Sequence, residues 1–437
     1  MRRAPSGNVS ASELGPRALA AAVAALPEAT PGSATDRAFS EGNARPRAAL
    51  LALVERTAFE ILASAVGAAE LAAPPADWPF GAEAFAPARG AVRAALAELG
   101  TLGGDPDSAG NADFGPDALG AVYEGMLATS VELARVPSAV VAEPRAAGNT
   151  QVDRLVDASG LTRAESKRAT LVPAGRVALV QSVDRRRSGS HYTPRALADR
   201  VVAATLGPLL GPTPAPEKVL EVCACDPSLG TGAFLLAVCR FLAARLEAGG
   251  GAPSRAQALR RVAECCLFGV DRDGGALVTA RHALWLAVAD PALPLTAFDA
   301  RLREGDALVG APEHGVPPRH PRPPTVALDW ERAFPEVFAR GGFDAFVGNP
   351  PWVSYAGRAS QPLAPEMREV YDTYAAFHGY KNLQGLFVER AARLLRPGGR
   401  LGFVLPSSMS ELAGYAPTRR AHDRFATVDP ELPDLGA

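Results

Sequence analysis

Apolar positions along this chain follow two different rhythms. From about residue 16 to residue 135, alanines and leucines recur at helical spacing. Breaks such as Ala73-Pro74-Pro75 and Gly103-Gly104-Asp105-Pro106 interrupt them, so an α-helical domain is expected over residues 1–135. Beyond residue 181 the pattern changes to short continuous apolar runs separated by helical stretches. Val219-Leu220-Glu221-Val222-Cys223-Ala224-Cys225, Cys266-Leu267-Phe268-Gly269-Val270, Phe343-Asp344-Ala345-Phe346-Val347-Gly348 and Arg400–Leu405 read as strands. Arg195 to about Leu210, Leu235–Leu246 and a stretch around Tyr415–Phe425 read as helices. Residues 136–180 mix Pro, Gly and Arg with the β-branched fragment Arg176-Val177-Ala178-Leu179-Val180, which predicts a linker and a short hairpin. Gly310–Pro324, rich in Pro and His, reads as an exposed loop, and residues 426–437 as a tail.

The third apolar run ends in Asn349-Pro350-Pro351-Trp352. Two consecutive prolines fix φ and remove two backbone donors, so the turn is rigid and its carbonyl oxygens and the Asn349 amide are held in place. Such a turn can accept the hydrogens of one exocyclic amino group, while Trp352 offers a flat face to a planar ring. The plainer alternative is a turn closed by a buried tryptophan.

The first run leads into Asp226-Pro227-Ser228-Leu229-Gly230-Thr231-Gly232-Ala233-Phe234 and then a helix, half of a Rossmann-like unit. A phosphate-binding P-loop needs Lys after its last glycine, where this chain has Ala233. An Asp at the loop's start repels a pyrophosphate but attracts a cation. S-adenosylmethionine carries a sulfonium and an ammonium, so Asp226 fits it, and Gly230 and Gly232 allow close backbone approach. The second run ends in Asp271, where a carboxylate after such a loop binds ribose hydroxyls, with Arg272 near the adenine face. Capping of the next helix is the competing role for Asp271.

Together these segments resemble the adenine-N6 DNA methyltransferases, amino-group methyltransferases with an Asn-Pro-Pro-aromatic motif, of the large restriction-modification and phage-defence type. Ser188-Gly189-Ser190-His191-Tyr192-Thr193-Pro194 is similar to the segment that in this group precedes the core and packs over the methionine end of the cofactor. Gly305-Asp306-Ala307-Leu308 looks like the piece whose Asp accepts from the cofactor's adenine N6. Leu328-Asp329-Trp330-Glu331 through Gly342-Phe343-Asp344, and Leu394–Leu401, also resemble the family; the likeness covers about residues 180–425 and extends weakly to Leu119–Leu127. It implies an α/β fold: a Rossmann-like S-adenosylmethionine-dependent methyltransferase core over residues 181–425, mostly parallel, preceded by the α-helical domain. The implied cofactor residues are Tyr192, Thr193, Pro194, Asp226, Pro227, Gly230, Thr231, Gly232, Ala233, Asp271, Arg272, Asp306 and Ala307. Asn349, Pro350, Pro351 and Trp352 are the implied catalytic residues.

Composition and charge modify this picture only locally. With 437 residues and 48% hydrophobic content there is room for about two to three domains and an ample core. A formal charge of −2 gives no overall basic footprint for double-stranded DNA, so phosphate contacts are expected from local clusters, Arg185-Arg186-Arg187 and Arg419-Arg420 with Arg424. Cys223, Cys225, Cys239, Cys265 and Cys266 include no Cys-x-x-Cys pair, so no metal is expected and the thiols read as core residues of a reducing, cytoplasmic compartment. The apolar stretch Ala48–Ala72 carries Glu55, Arg56, Glu60 and Glu70, a poor membrane span.

The resemblance implies that relatives continue past Ser408 with a further helix, two closing strands and a target-recognition domain. The residues from there to Ala437 are too few for these, so a five-stranded core with an open edge and a separate chain supplying target recognition are expected. Two other functions stay open: a glutamine-N5 protein methyltransferase, whose tetrapeptide is of the same type, and an inactive remnant or scaffold subunit.

Overall fold

The computed structural model describes residues 11–40, 42–64, 78–80, 82–96, 116–127, 129–143, 152–181, 193–310, 326–356 and 360–428. The chain divides into two units, Met1–Arg186 and Arg187–Ala437. Tyr192 and most of the Gly310–Pro324 segment fall outside the described residues.

In the first unit, helices α1 (Ala11–Ala24), α2 (Ala44–Ser64), α3 (Ala82–Ala95) and α4 (Pro116–Met126) bury Leu14, Leu19, Leu50, Leu53, Phe80 and Leu96 completely or almost so. The alanine-rich faces let backbones approach closely. A Cβ on Gly15 would stand 2.1 Å from the Val122 carbonyl oxygen, and one on Gly125 would stand 2.2 Å from that of Ser12, so α1 and α4 meet through two glycines.

The helical reading ends at Met126, and the predicted linker is a β-structure. Strand β1 (Thr129–Leu133) pairs antiparallel with β5 (Val177–Gln181), while β2 (Ser138–Glu143) lies between β3 (Val152–Asp157) and β4 (Thr170–Val172). Val177–Val180 is therefore a strand, but its partner is β1 and not a neighbouring hairpin arm. Strands this short carry little periodicity, and a pairing that skips three intervening strands leaves no local signal.

The second unit is built on β6 (Ala224–Asp226), β7 (Leu267–Asp271), β8 (Leu302–Glu304), β9 (Phe343–Gly348) and β10 (Leu395–Phe403). The order is β10-β9-β6-β7-β8, and every neighbouring pair is parallel. Helices α5 (Arg195–Leu210), α6 (Ala233–Ala248), α7 (Arg255–Cys265), α8 (Gly274–Val288) and α9 (Leu383–Leu394) accompany the sheet. This is the expected α/β core, with five strands among the described residues.

One predicted strand shrinks. Val219 and Leu220 end a short helix, Pro216–Leu220, and only Ala224 and Cys225 of that run are strand, which continues to Asp226. Pro216 occupies the start of that helix, where its missing N–H costs nothing, and Val219 reaches the core from the helical turn. A short apolar run reads the same in either state.

The β9 face carries an aromatic core: Phe343 and Phe346 have ring centroids 4.9 Å apart, with Phe268, Trp330 and Phe334 around them. Asp344, buried within β9, accepts from Cys223 N (2.8 Å) and Arg396 Nε (2.5 Å), tying β9 to the approach of β6 and to β10. Helix α5 lies against β10 where a Cβ on Gly402 would stand 1.9 Å from Thr205 Oγ1. Cys223, Cys225, Cys239 and Cys266 are buried as expected, whereas Cys265 is exposed. Among the described residues, no helix is long and apolar enough to cross a membrane.

The winding places the site. From β6 the chain moves outward through β7 to β8, then returns across β6 to form β9 and β10, so β6 and β9 are adjacent at the reversal point. In open parallel sheets the crevice for a ligand forms there, at the carboxyl ends of the strands.

Candidate active site

Asp226 is the last residue of β6 and only 1% exposed. Its Oδ1 accepts from Ser228 N at 3.0 Å and Ser228 Oγ at 3.3 Å. Burial pushes its pKa up to about 7; the Ser228 backbone bond opposes the shift and the charge of Asp271 adds to it. The loop then turns through two left-handed residues, Gly230 (φ +52°) and Gly232 (φ +89°), into α6. A Cβ on Gly232 would come within 3.1 Å of the Ala280 Cβ, so both backbone conformation and packing call for glycine.

Asp271 closes this loop from the end of β7. Its Oδ2 accepts from Gly230 N at 2.7 Å and its Oδ1 from Asp273 N at 2.9 Å. Burial raises its pKa, and these two backbone donors pull it back. The helix-capping role considered for Asp271 belongs to Asp273, whose Oδ1 accepts from Gly275 N at the start of α8. Arg272 is exposed beside it.

Beyond β8, Asp306 is 3% exposed. Its Oδ1 accepts from Leu308 N at 3.0 Å, and its Oδ2 is buried with no partner among the described residues. Three side chains that sequence reasoning did not single out as site residues hold this segment. Trp330 Nε1 donates to Ala307 O (3.1 Å), Tyr374 Oη donates to Leu308 O (2.6 Å), and Arg390 Nε donates to Tyr374 Oη (2.8 Å). Tyr374 and Arg390 lie in unremarkable stretches of sequence, and nothing local marks them; Ser228 lies within the Asp226–Phe234 loop, but its bonds to Asp226 have no signature of their own.

At the end of β9, Asn349 Nδ2 donates to Thr193 Oγ1 at 3.4 Å. Pro350 is buried, and the Pro351 carbonyl accepts from Val353 N at 3.1 Å. Trp352 is 46% exposed, with Nε1 donating to Val404 O at 3.3 Å. The alternative of a turn closed by a buried tryptophan is thereby excluded; the indole is pinned at one edge and open on its surface. The following chain is docked on the start of α9: Leu383 N donates to Val353 O at 2.9 Å, and Ser354 bridges Asn382.

The sheet brings these pieces together. A Cβ on Gly348 would stand 2.6 Å from Asp226 Oδ1, which puts the loop carboxylate beside the residue preceding Asn349. Asp271 is in register with Glu304, two residues before Asp306. Asp226, Asp271, Asp306 and Asn349 thus sit at or just beyond the carboxyl ends of four adjacent strands. Thr193 and Pro194 open α5, with Thr193 reaching Asn349. Pro227, Thr231 and Ala307 lie within the two loops, and Ala233 is the first residue of α6.

Residues 265–427 match the Eco57I restriction-modification methylase family. Over these residues the chain is similar to that family of methyltransferases. The matched region contains β7 to β10 and the Asn-Pro-Pro-Trp turn, and it begins downstream of the Asp226 loop. Over 78 residues the chain is 38% identical to the type II methyltransferase M.TthHB8I of Thermus thermophilus, covering 17% of this chain and 18% of that protein. Among solved structures it is similar to DrdV in a DNA complex (18% identity, 55% of this chain and 22% of that one, TM-score 0.38). It is also similar to the type IIL restriction-modification enzyme MmeI in complex with DNA (14%, 91% and 47%, TM-score 0.37). At such TM-scores these likenesses decide nothing about the chemistry. The chain spans less than a quarter of the length of M.TthHB8I and of the DrdV chain.

Proposed function

We propose that this chain transfers a methyl group from S-adenosylmethionine to the N6 amino group of an adenine in double-stranded DNA, as the modification part of a restriction-modification or phage-defence system. The observation that carries the reading is the adjacency of the Asn349–Trp352 turn and the Asp226 loop across the β6/β9 boundary. A reactive amino group held at the first would face a cationic cofactor held at the second.

The residues present fit that cofactor. Asp226 offers a carboxylate to its positive end, and Gly230 and Gly232 remove the side chains that would block a close approach. The buried Asp306 Oδ2, without a partner among the described residues, is an acceptor in need of a donor, which an adenine amino group would supply. Asp271 fastens the glycine loop, and its remaining lone pairs can accept from ribose hydroxyls. Tyr192 and Pro194 complete the proposed cofactor set, with Pro227, Thr231, Ala233, Arg272 and Ala307, while the Thr193 hydroxyl is hydrogen-bonded to Asn349. When bound, the cofactor supplies an electrophilic sulfonium methyl.

On the substrate side, the target adenine rotates out of the duplex and stacks on Trp352, whose exposed ring suits an incoming planar partner. Asn349 Oδ1 and the Pro350 carbonyl accept the two N6 hydrogens. An adenine amino group is a weak nucleophile because its lone pair is delocalised into the ring; accepting both hydrogens favours the pyramidal form that can attack in line. No covalent enzyme intermediate is required.

The test is incubation of the purified chain with methyl-labelled S-adenosylmethionine and unmodified duplex DNA, followed by digestion to nucleosides. Label in N6-methyldeoxyadenosine is expected. Label on cytosine, or on glutamine of added protein in place of DNA, overturns the reading.

A further inference from the structure

We propose that Thr193 is a positioning residue for Asn349, supplying the partner for the end of the Asn349 carboxamide that is turned away from the pocket. The inference deepens the methyl-transfer reading and rests on it for its kinetic consequence. A carboxamide has an acceptor end and a donor end of nearly the same shape, and only its hydrogen-bond partners decide which way it faces. For Asn349 Oδ1 to meet an amino group, Nδ2 needs an acceptor elsewhere. Turned the other way, Asn349 would set its own N–H groups against those of the substrate.

That acceptor is in place. Asn349 Nδ2 donates to Thr193 Oγ1 at 3.4 Å, across 156 positions of sequence. Thr193 is 6% exposed, so water competes poorly for its hydroxyl. Its backbone is anchored by the first turn of α5, where Leu197 N and Ala198 N donate to Pro194 O at 3.0 and 3.1 Å. The same helix is seated on β10 through Thr205 and Gly402, and β10 pairs with β9 up to Phe403 and Gly348, next to Asn349. The hydroxyl therefore stands on a support that is rigid with respect to the strand carrying Asn349. The Tyr-Thr-Pro segment then has a job on the substrate side of the pocket, apart from any contact with the cofactor.

Two variants separate these roles. Thr193→Val keeps the shape and removes the hydroxyl; Thr193→Ser keeps the hydroxyl. The loss of one neutral hydrogen bond is expected to lower kcat by roughly three- to tenfold in Thr193→Val, with cofactor affinity and KM for DNA within about twofold, and Thr193→Ser is expected to recover wild-type turnover. A tenfold weaker cofactor affinity with unchanged kcat at saturation overturns the proposal and makes Thr193 a cofactor ligand.

A second readout does not need activity. The side-chain amide signal of Asn349 in nitrogen-15 NMR, assigned by its loss in Asn349→Asp, should move in Thr193→Val and return in Thr193→Ser. An unmoved signal overturns the proposal whatever the kinetics. A wild-type chain that methylates nothing refutes the methyl-transfer reading alone, and the amide signal still decides the contact.

Discussion

Asp226 is held in the folded chain with its proton bound more tightly than usual, and stability should register this. Its folded pKa of about 7 lies above the ordinary 3.8, with burial as the main cause. Between those values the unfolded chain has released the proton while the folded chain keeps it, so stability falls as pH rises from about 4 to about 7 and then levels. Asp226→Asn should remove this slope and melt higher than wild type at pH 8 without cofactor; parallel melting curves at every pH would contradict it. Asp226→Ala and Asp271→Ala should each weaken S-adenosylmethionine binding about tenfold or more, as expected for a lost charge-assisted bond of roughly 1.5–3 kcal/mol, by calorimetry. Asn349→Ala should reduce methyl transfer by about a hundredfold or more while cofactor affinity stays within a few-fold. A collapse of cofactor binding would make Asn349 a cofactor or structural residue. These residues were legible because each terminates an apolar run or opens a glycine turn. Tyr374 and Arg390 were not, since Tyr374 holds the distant Leu308 carbonyl and Arg390 acts through the Tyr374 hydroxyl, while Ser228 lies in the glycine loop but its bonds to Asp226 carry no pattern of their own.

Elements were legible in proportion to their length and to how local their pairing is. Helix α5 occupies Arg195–Leu210 as its pattern predicts, and β9 follows Phe343–Gly348. The run from Val219 misleads because a helical turn and a strand bury the same residues there. Of the strands between residues 129 and 181 only the Val177–Val180 piece was legible, because all are short and β1 is separated in the chain from its partner β5 by β2, β3 and β4. Contact between elements sets a further demand that no pattern announces. Gly402→Ala would drive a methyl group into Thr205 and should cost about 1–3 kcal/mol in urea unfolding, as overpacking does. Unchanged stability would mean that α5 can back away from β10 at little cost.

At the scale of the whole molecule, every residue proposed for the cofactor lies in the unit Arg187–Ala437. Added S-adenosylmethionine should slow hydrogen exchange in peptides covering residues 226–233, 267–273, 304–308 and 348–353, and leave those of residues 11–181 unchanged. Protection that appears first in the helical unit would place the ligand elsewhere. Sequence by itself determined the local pieces: a rigid Asn-Pro-Pro-Trp turn, a glycine loop opened by an aspartate, carboxylates at strand ends, and a shift from helical to α/β patterning. Those depend on φ restriction, on the absence of a side chain and on the sign of one charge, all properties of a few neighbouring residues. Only the tertiary structure decided that these pieces share one edge of one sheet. The reversal of winding between β8 and β9 sets Asp226 beside Gly348, and burial, which no short segment can encode, shifts the Asp226 carboxyl and leaves the Asp306 oxygen without a partner among the described residues.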